Sequence, residues 1–91
     1  KNIPCTKVGF KALEKVTVKE LTDASNFILK KYGLDLVVAN DVSKDIFGSE
    51  ETEITIVTKD AITEIPRSHK SVVASIILNE VLDIRRKKDE S

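Results

Sequence analysis

Asn40-Asp41, directly behind the apolar run Leu34-Asp35-Leu36-Val37-Val38-Ala39, is the pair of side chains in this sequence best placed to hold a small ligand. The Asn40 amide both donates and accepts, and the Asp41 carboxylate can accept from a hydroxyl or ligate a metal ion. Phe47, beside Gly48, offers an aromatic face to a flat ring. The same residues have a plain structural use. Asn-Asp after a strand closes turns through side-chain to backbone bonds, and Phe47 can pin a loop to the core.

Other chemistry-bearing residues carry less. Lys11 and Glu14 can orient a ligand or form a surface pair of small energetic consequence. Lys30 and Lys31 can reach phosphates, but they also suit the carbonyl-rich end of a helix before Gly33. His69 has no carboxylate or nucleophile at an interpretable spacing and reads as a surface residue. Arg85-Arg86-Lys87-Lys88 lacks interleaved aromatics and reads as a solvated tail, not a nucleic-acid patch. Cys5 has no basic helper, and one Cys with one His cannot assemble a zinc site. Gly9, Gly33 and Gly48 are isolated, so there is no glycine-rich phosphate loop.

The elements that must position these residues follow from periodicity. Val8, Phe10 and Ala12 alternate, which predicts a strand over 7–12. Thr17 and Glu20 have capping-box spacing, and Val18, Leu21, Phe27, Ile28 and Tyr32 recur at helical intervals, which predicts a helix over 17–32. The run 34–39 reads as a strand covered on both faces. Strand, helix, strand makes a right-handed βαβ unit with parallel strands, so the segments after Phe10 and Ala39 leave the sheet at one edge, where ligands of open α/β sheets settle. A long polar loop over 40–52 is expected next, then a β-hairpin from 53–58 and 62–65 stopped by Pro66. Ser68 then caps a last helix over about 68–86, with a frayed end.

Ninety-one residues with 41% apolar and 33% charged side chains make one small folded unit. Fifteen basic residues balance fifteen acidic ones, so no long-range field draws the chain to nucleic acid or an anionic membrane. No apolar run is long enough to span a membrane, there is no signal-peptide core, and the lone cysteine fits a reducing compartment; a cytoplasmic location is expected. The chain begins at Lys1 without an initiating Met, as a processed chain or a fragment would.

Three strings in order, Val8-Gly9-Phe10-Lys11-Ala12, Asp35-Leu36-Val37-Val38-Ala39-Asn40-Asp41-Val42-Ser43 and Phe47-Gly48-Ser49-Glu50-Glu51-Thr52-Glu53-Ile54-Thr55-Ile56, resemble the phosphopantothenate-cysteine ligase family. Glu64-Ile65-Pro66-Arg67 and the helix behind it continue the likeness. The resemblance implies a Rossmann-like three-layer α/β sandwich. It also implies activation of the 4′-phosphopantothenate carboxylate by ATP or CTP with Mg²⁺, pyrophosphate leaving before cysteine displaces the nucleotide. On that likeness Phe10, Lys11 and Ala12 correspond to the wall beside the nucleotide, and Asn40, Asp41 and Phe47 to its sugar and base contacts. The functional lysine of the family falls, without a gap, on Ile28, and Lys30 is the nearest lysine, with Lys31 behind it. Leu13 stands where many members carry Glu, with Glu14 one place later. The first half of such domains supplies the phosphate-binding turns. This chain therefore reads as the carboxy-terminal half, 1–91, inactive without its N-terminal half and expected to pair as a homodimer. The rival expectation is a non-catalytic interaction or dimerisation module that has kept the fold.

Overall fold

The computed structural model describes residues 6–44 and 48–89; Cys5 and Phe47 lie outside the described residues. In chain order the elements are β1 (Val8–Leu13), α1 (Val18–Lys31), β2 (Leu36–Asp41), one 3-10 turn (Val42–Lys44), β3 (Glu51–Val57), β4 (Ile62–His69) and α2 (Lys70–Asp89). The sheet order is β1-β2-β3-β4. Strands β1 and β2 are parallel, from Val8 opposite Leu36 to Leu13 opposite Asp41, while β3 and β4 continue the sheet antiparallel.

Alternation along the strands builds two cores, one on each face. Leu36, Val38, Ile54, Ile56 and Ile65 point to one side, where Val73 of α2 joins them. Val37, Ala39 and Val57 point to the other, against Leu21 and Leu29 of α1. Leu36 to Ala39 is buried throughout, as its unbroken apolar run requires of a strand with helices on both sides. The result is a three-layer α/β sandwich in which α1 connects the two parallel strands.

Helix α1 is delimited as its sequence dictates. The Glu20 amide donates to Thr17 Oγ1 at 3.1 Å and the Thr17 amide donates to Glu20 Oε1 at 2.8 Å, the reciprocal capping box. At the far end Gly33 takes φ 62°, and the Leu34 amide returns to the Leu29 carbonyl at 2.8 Å, a Schellman closure that carries Leu34 into the α1-side core.

Several boundaries differ from the periodicity reading. Strand β2 begins at Leu36 because Leu34 is spent on the helix stop, and it continues through Asn40 and Asp41, which pair with Ala12 and Leu13. The loop expected over 40–52 is correspondingly shorter. Pro66 does not stop β4, which runs on to His69. The strand lies at the sheet edge, and its register against β3 shifts by one residue between Thr52 and Ile54, so Pro66 sits in a bulge where its missing N–H costs no ladder bond. Ser68 therefore does not cap α2. His69 does: its Nδ1 accepts the Ser71 amide at 3.1 Å. The C-terminal segment is helical through Asp89, and Lys88 is tied to Asp35 at 2.8 Å.

Candidate functional site

The parallel register decides which side chains gather at the carboxyl ends of β1 and β2. Phe10, Ala12 and Asn40 lie on the α2 side of the sheet, continuing the alternation of Val8 and Val38. Lys11 and Asp41 lie on the α1 side. Strand β1 is an edge strand, and Phe10 is 73% exposed. A large aromatic ring is thus exposed opposite Val38, two residues before Ala12, whose partner across the strands is the half-buried Asn40. Because β4 runs in the same direction as β2, His69 and the first turn of α2 reach this edge too.

Asp41 is mostly engaged by the protein itself. Its Oδ1 accepts the Lys15 amide at 3.0 Å, the Ser43 amide at 2.9 Å and the Ser43 hydroxyl; its Oδ2 accepts the Val16 amide at 3.0 Å. The Ser43 hydroxyl and these amides, opposed by burial, hold the carboxyl down at about 2. The carboxylate bridges the β1–α1 turn to the start of the 3-10 turn, and it steadies Lys15 in the left-handed region at φ 52°. Turn closure, one of its two readings from sequence, is its visible work, although Oδ2 retains acceptor capacity. Ser43 was given no role of its own from sequence, yet Asp-x-Ser is the spacing of a side-chain-closed turn.

A cleft of about 300 Å³ opens on the α1 side between the first turn of α1, the end of β2 and strands β3 and β4. Asp41, Thr55, Glu53 and Glu64 supply its polar side chains, and none of the last three was singled out from sequence. A larger cleft of about 470 Å³ lies at the opposite edge of the sheet around Asp35 and Lys88, away from the strand ends where the polar residues converge.

Lys30 is not brought to this cluster. It stands in the last turn of α1, whose first turn is the one beside Asp41, and 14 residues of helix span roughly 21 Å. Lys31 instead lies over the exposed rings of Phe27 and Tyr32, at 5.6 and 5.4 Å from their centroids. Lys11 and Glu14 form no ion pair among the described residues. No three of His, Cys, Asp and Glu among the described residues gather closely enough to hold a metal ion, and no described helix is long and apolar enough to cross a membrane.

A parallel βαβ unit with its polar side chains at the carboxyl ends of the strands, extended by an antiparallel hairpin and covered by a helix on each face, defines an α/β sandwich of the doubly wound type. The chain belongs to the DNA/pantothenate metabolism flavoprotein C-terminal domain family, whose model matches residues 2–84. It is 37% identical over 70 residues to the coenzyme A biosynthesis bifunctional protein CoaBC of Methanocaldococcus jannaschii, a match covering 77% of this chain and 17% of that protein. The CoaBC protein of Thermococcus kodakarensis is 38% identical over 74 residues, covering 81% of this chain and 18% of that one. This chain therefore spans under a fifth of the relatives it matches. The crystal structure of the DNA/pantothenate metabolism flavoprotein from Streptococcus pneumoniae superposes with a TM-score of 0.73 at 26% identity, over 84% of this chain and 33% of that one.

Proposed function

We propose that this chain is the nucleotide-binding, carboxy-terminal half of a phosphopantothenate-cysteine ligase domain acting in coenzyme A biosynthesis. The observation that carries the reading is the exposed Phe10 ring on the face of β1 that runs on through Ala12, opposite Asn40, to the carboxyl ends of two parallel strands, where sheets of this type bind ligands. In this reading ATP or CTP stacks its base on Phe10 and the Asn40 amide contacts its sugar. Asp41 keeps the turn behind them in shape and offers Oδ2. Lys11 flanks the edge, and Phe47 belongs to the same proposal on the strength of the resemblance alone. Lys30 takes no step in it.

The described residues provide no dedicated metal cage. This fits Mg²⁺, which is commonly held by substrate phosphates and one or two carboxylates, and which when bound offsets charge on those phosphates. The N-terminal half of the domain supplies the phosphate turns and completes the 4′-phosphopantothenate and cysteine sites. Calorimetric titration with MgATP and with MgCTP tests the reading: saturable binding of one or both supports it, and heats equal to the buffer blank for both count against it.

The second reading, a non-catalytic association or homodimerisation module, is favoured by α2, where Val72, Leu78 and Leu82 are exposed although the opposite side of the helix already packs on the sheet. Sedimentation of the chain with and without nucleotide separates the two. Nucleotide-independent self-association, with no nucleotide binding, would favour the module.

A further inference from the structure

We propose that His69 is a pH-operated clasp on the first turn of α2, closed while its imidazole is neutral and released when the ring takes up a proton and turns to Glu51. The geometry defines the closed state. The Ser71 amide approaches Nδ1 of His69 at 3.1 Å, and an amide can only donate, so this nitrogen presents its lone pair and the ring proton sits on Nε2. The Ser71 hydroxyl stands 2.8 Å from the same nitrogen.

Protonation removes that acceptor. With a hydrogen on both ring nitrogens, the Ser71 hydroxyl can turn and accept, but the Ser71 amide would point its N–H at another N–H. The turn holds no substitute: no acidic side chain stands in it, and the Glu50 carbonyl is already taken by the Lys70 amide at 2.8 Å. A positive ring beside the partly positive start of a 20-residue helix is itself unfavourable. The loosened turn lies immediately before Val73, the buried residue by which α2 joins the core.

The released ring has a destination. His69 is paired across the ladder with Glu51 of β3, whose exposed carboxylate makes no ion pair among the described residues. Directly opposite side chains in an antiparallel pair start about 5 Å apart, so an imidazolium can meet this carboxylate. Glu50, on the segment leading into β3, adds a second carboxylate. The opposing cations are Lys70 of α2 and Arg67 of β4, and the Arg67 guanidinium is engaged by the Glu53 carboxylate and the Glu51 carbonyl. Imidazoles change charge between about pH 5 and 8. The open arrangement binds the proton more tightly, so the clasp is complete at the alkaline end of that window and is lost as pH falls through it. The device is independent of nucleotide binding.

His69 is the one histidine in the sequence, so its ring signals are identified without ambiguity. The test follows its ring nitrogens and the amides of 70–73 by ¹⁵N NMR on the 91-residue chain from about pH 8 to about pH 5. Nδ1 is expected to be unprotonated at the alkaline end. The Ser71 amide should then move with the midpoint of the ring, and exchange of the 71–73 amides, corrected for its intrinsic pH dependence, should accelerate by about fivefold, the loss of one cap. His69→Asn, a cap that does not titrate, should keep the protection throughout and erase its pH dependence. Glu51→Gln should leave the cap intact at about pH 8 and move the ring midpoint to lower pH. A proton on Nδ1 at the alkaline end, or a Ser71 amide indifferent to the ring titration, would overturn the proposal. So would an unchanged midpoint in a folded Glu51→Gln chain, or pH-dependent protection that persists in His69→Asn. The wild-type ring and amide signals decide the matter even if a variant fails to fold.

Discussion

Phe10→Ala separates a binding role from a folding role more cleanly than any other substitution in this chain. With 73% of Phe10 exposed, only about a quarter of its surface is withdrawn from water. Full burial of such a side chain stabilises by about 1.5–3 kcal/mol, so the lost share is roughly 0.4–0.8 kcal/mol, plus a few tenths for β-propensity at an edge strand. A melting-temperature decrease of at most about 8 °C is expected. If a base stacks on the ring, truncation should instead cost about 1–3 kcal/mol of binding, a 5- to 150-fold rise in Kd. Calorimetric melting and titration with the better-bound of MgATP and MgCTP measure both on one sample. A folded variant that binds nucleotide as well as the wild-type chain would refute the stacking argument. A variant that unfolds outright would show that the exposed ring has a packing role the structure does not display.

Asp41→Asn should destabilise the chain at neutral pH, and the difference should close in acid. The carboxyl titrates at about 2 in the folded chain against an ordinary 3.8, so its contribution is complete above the ordinary value and is lost as pH falls through about 2; urea melts at several pH values check this. Lys88→Met should cost about 0.5–1 kcal/mol by urea denaturation, because it breaks the partly buried pair with Asp35, whose carboxyl burial pushes up but Lys88 and the Lys7 amide pull lower still. That cost should be present at neutral pH and fade as pH drops below the ordinary carboxylate range. Lys30→Ala should leave nucleotide affinity by calorimetry within about twofold, since the residue lies one helix length from the strand ends.

The helix boundaries of α1 were legible because its signals are local: Thr17 with Glu20 three places on, and Gly33 after the last apolar turn. The parallel βαβ unit followed from that helix standing between two apolar runs. What sequence could not give was register and bulging. Pro66 reads as a stop, and only its place at an edge, within a one-residue shift against β3, explains why the strand continues. Nor could spacing reveal that Lys88, 53 residues from Asp35, holds the last turn of α2 in place. At the candidate site, Asn40 and Asp41 were visible as types, but their division between opposite faces of the sheet and the engagement of Asp41 by Ser43 needed coordinates. The cleft around Thr55 joins residues from four elements, and no local pattern announces it.

The nucleotide proposal is tested most directly by following the backbone amides of 10–14 and 40–48 by NMR while adding ATP or CTP, each with Mg²⁺. The account predicts saturable shifts centred on Phe10, Ala12 and Asn40, with the amides of Lys30 and Lys31 unmoved. Shifts absent from those strand ends with both nucleotides, or confined to the far end of α1, would contradict it.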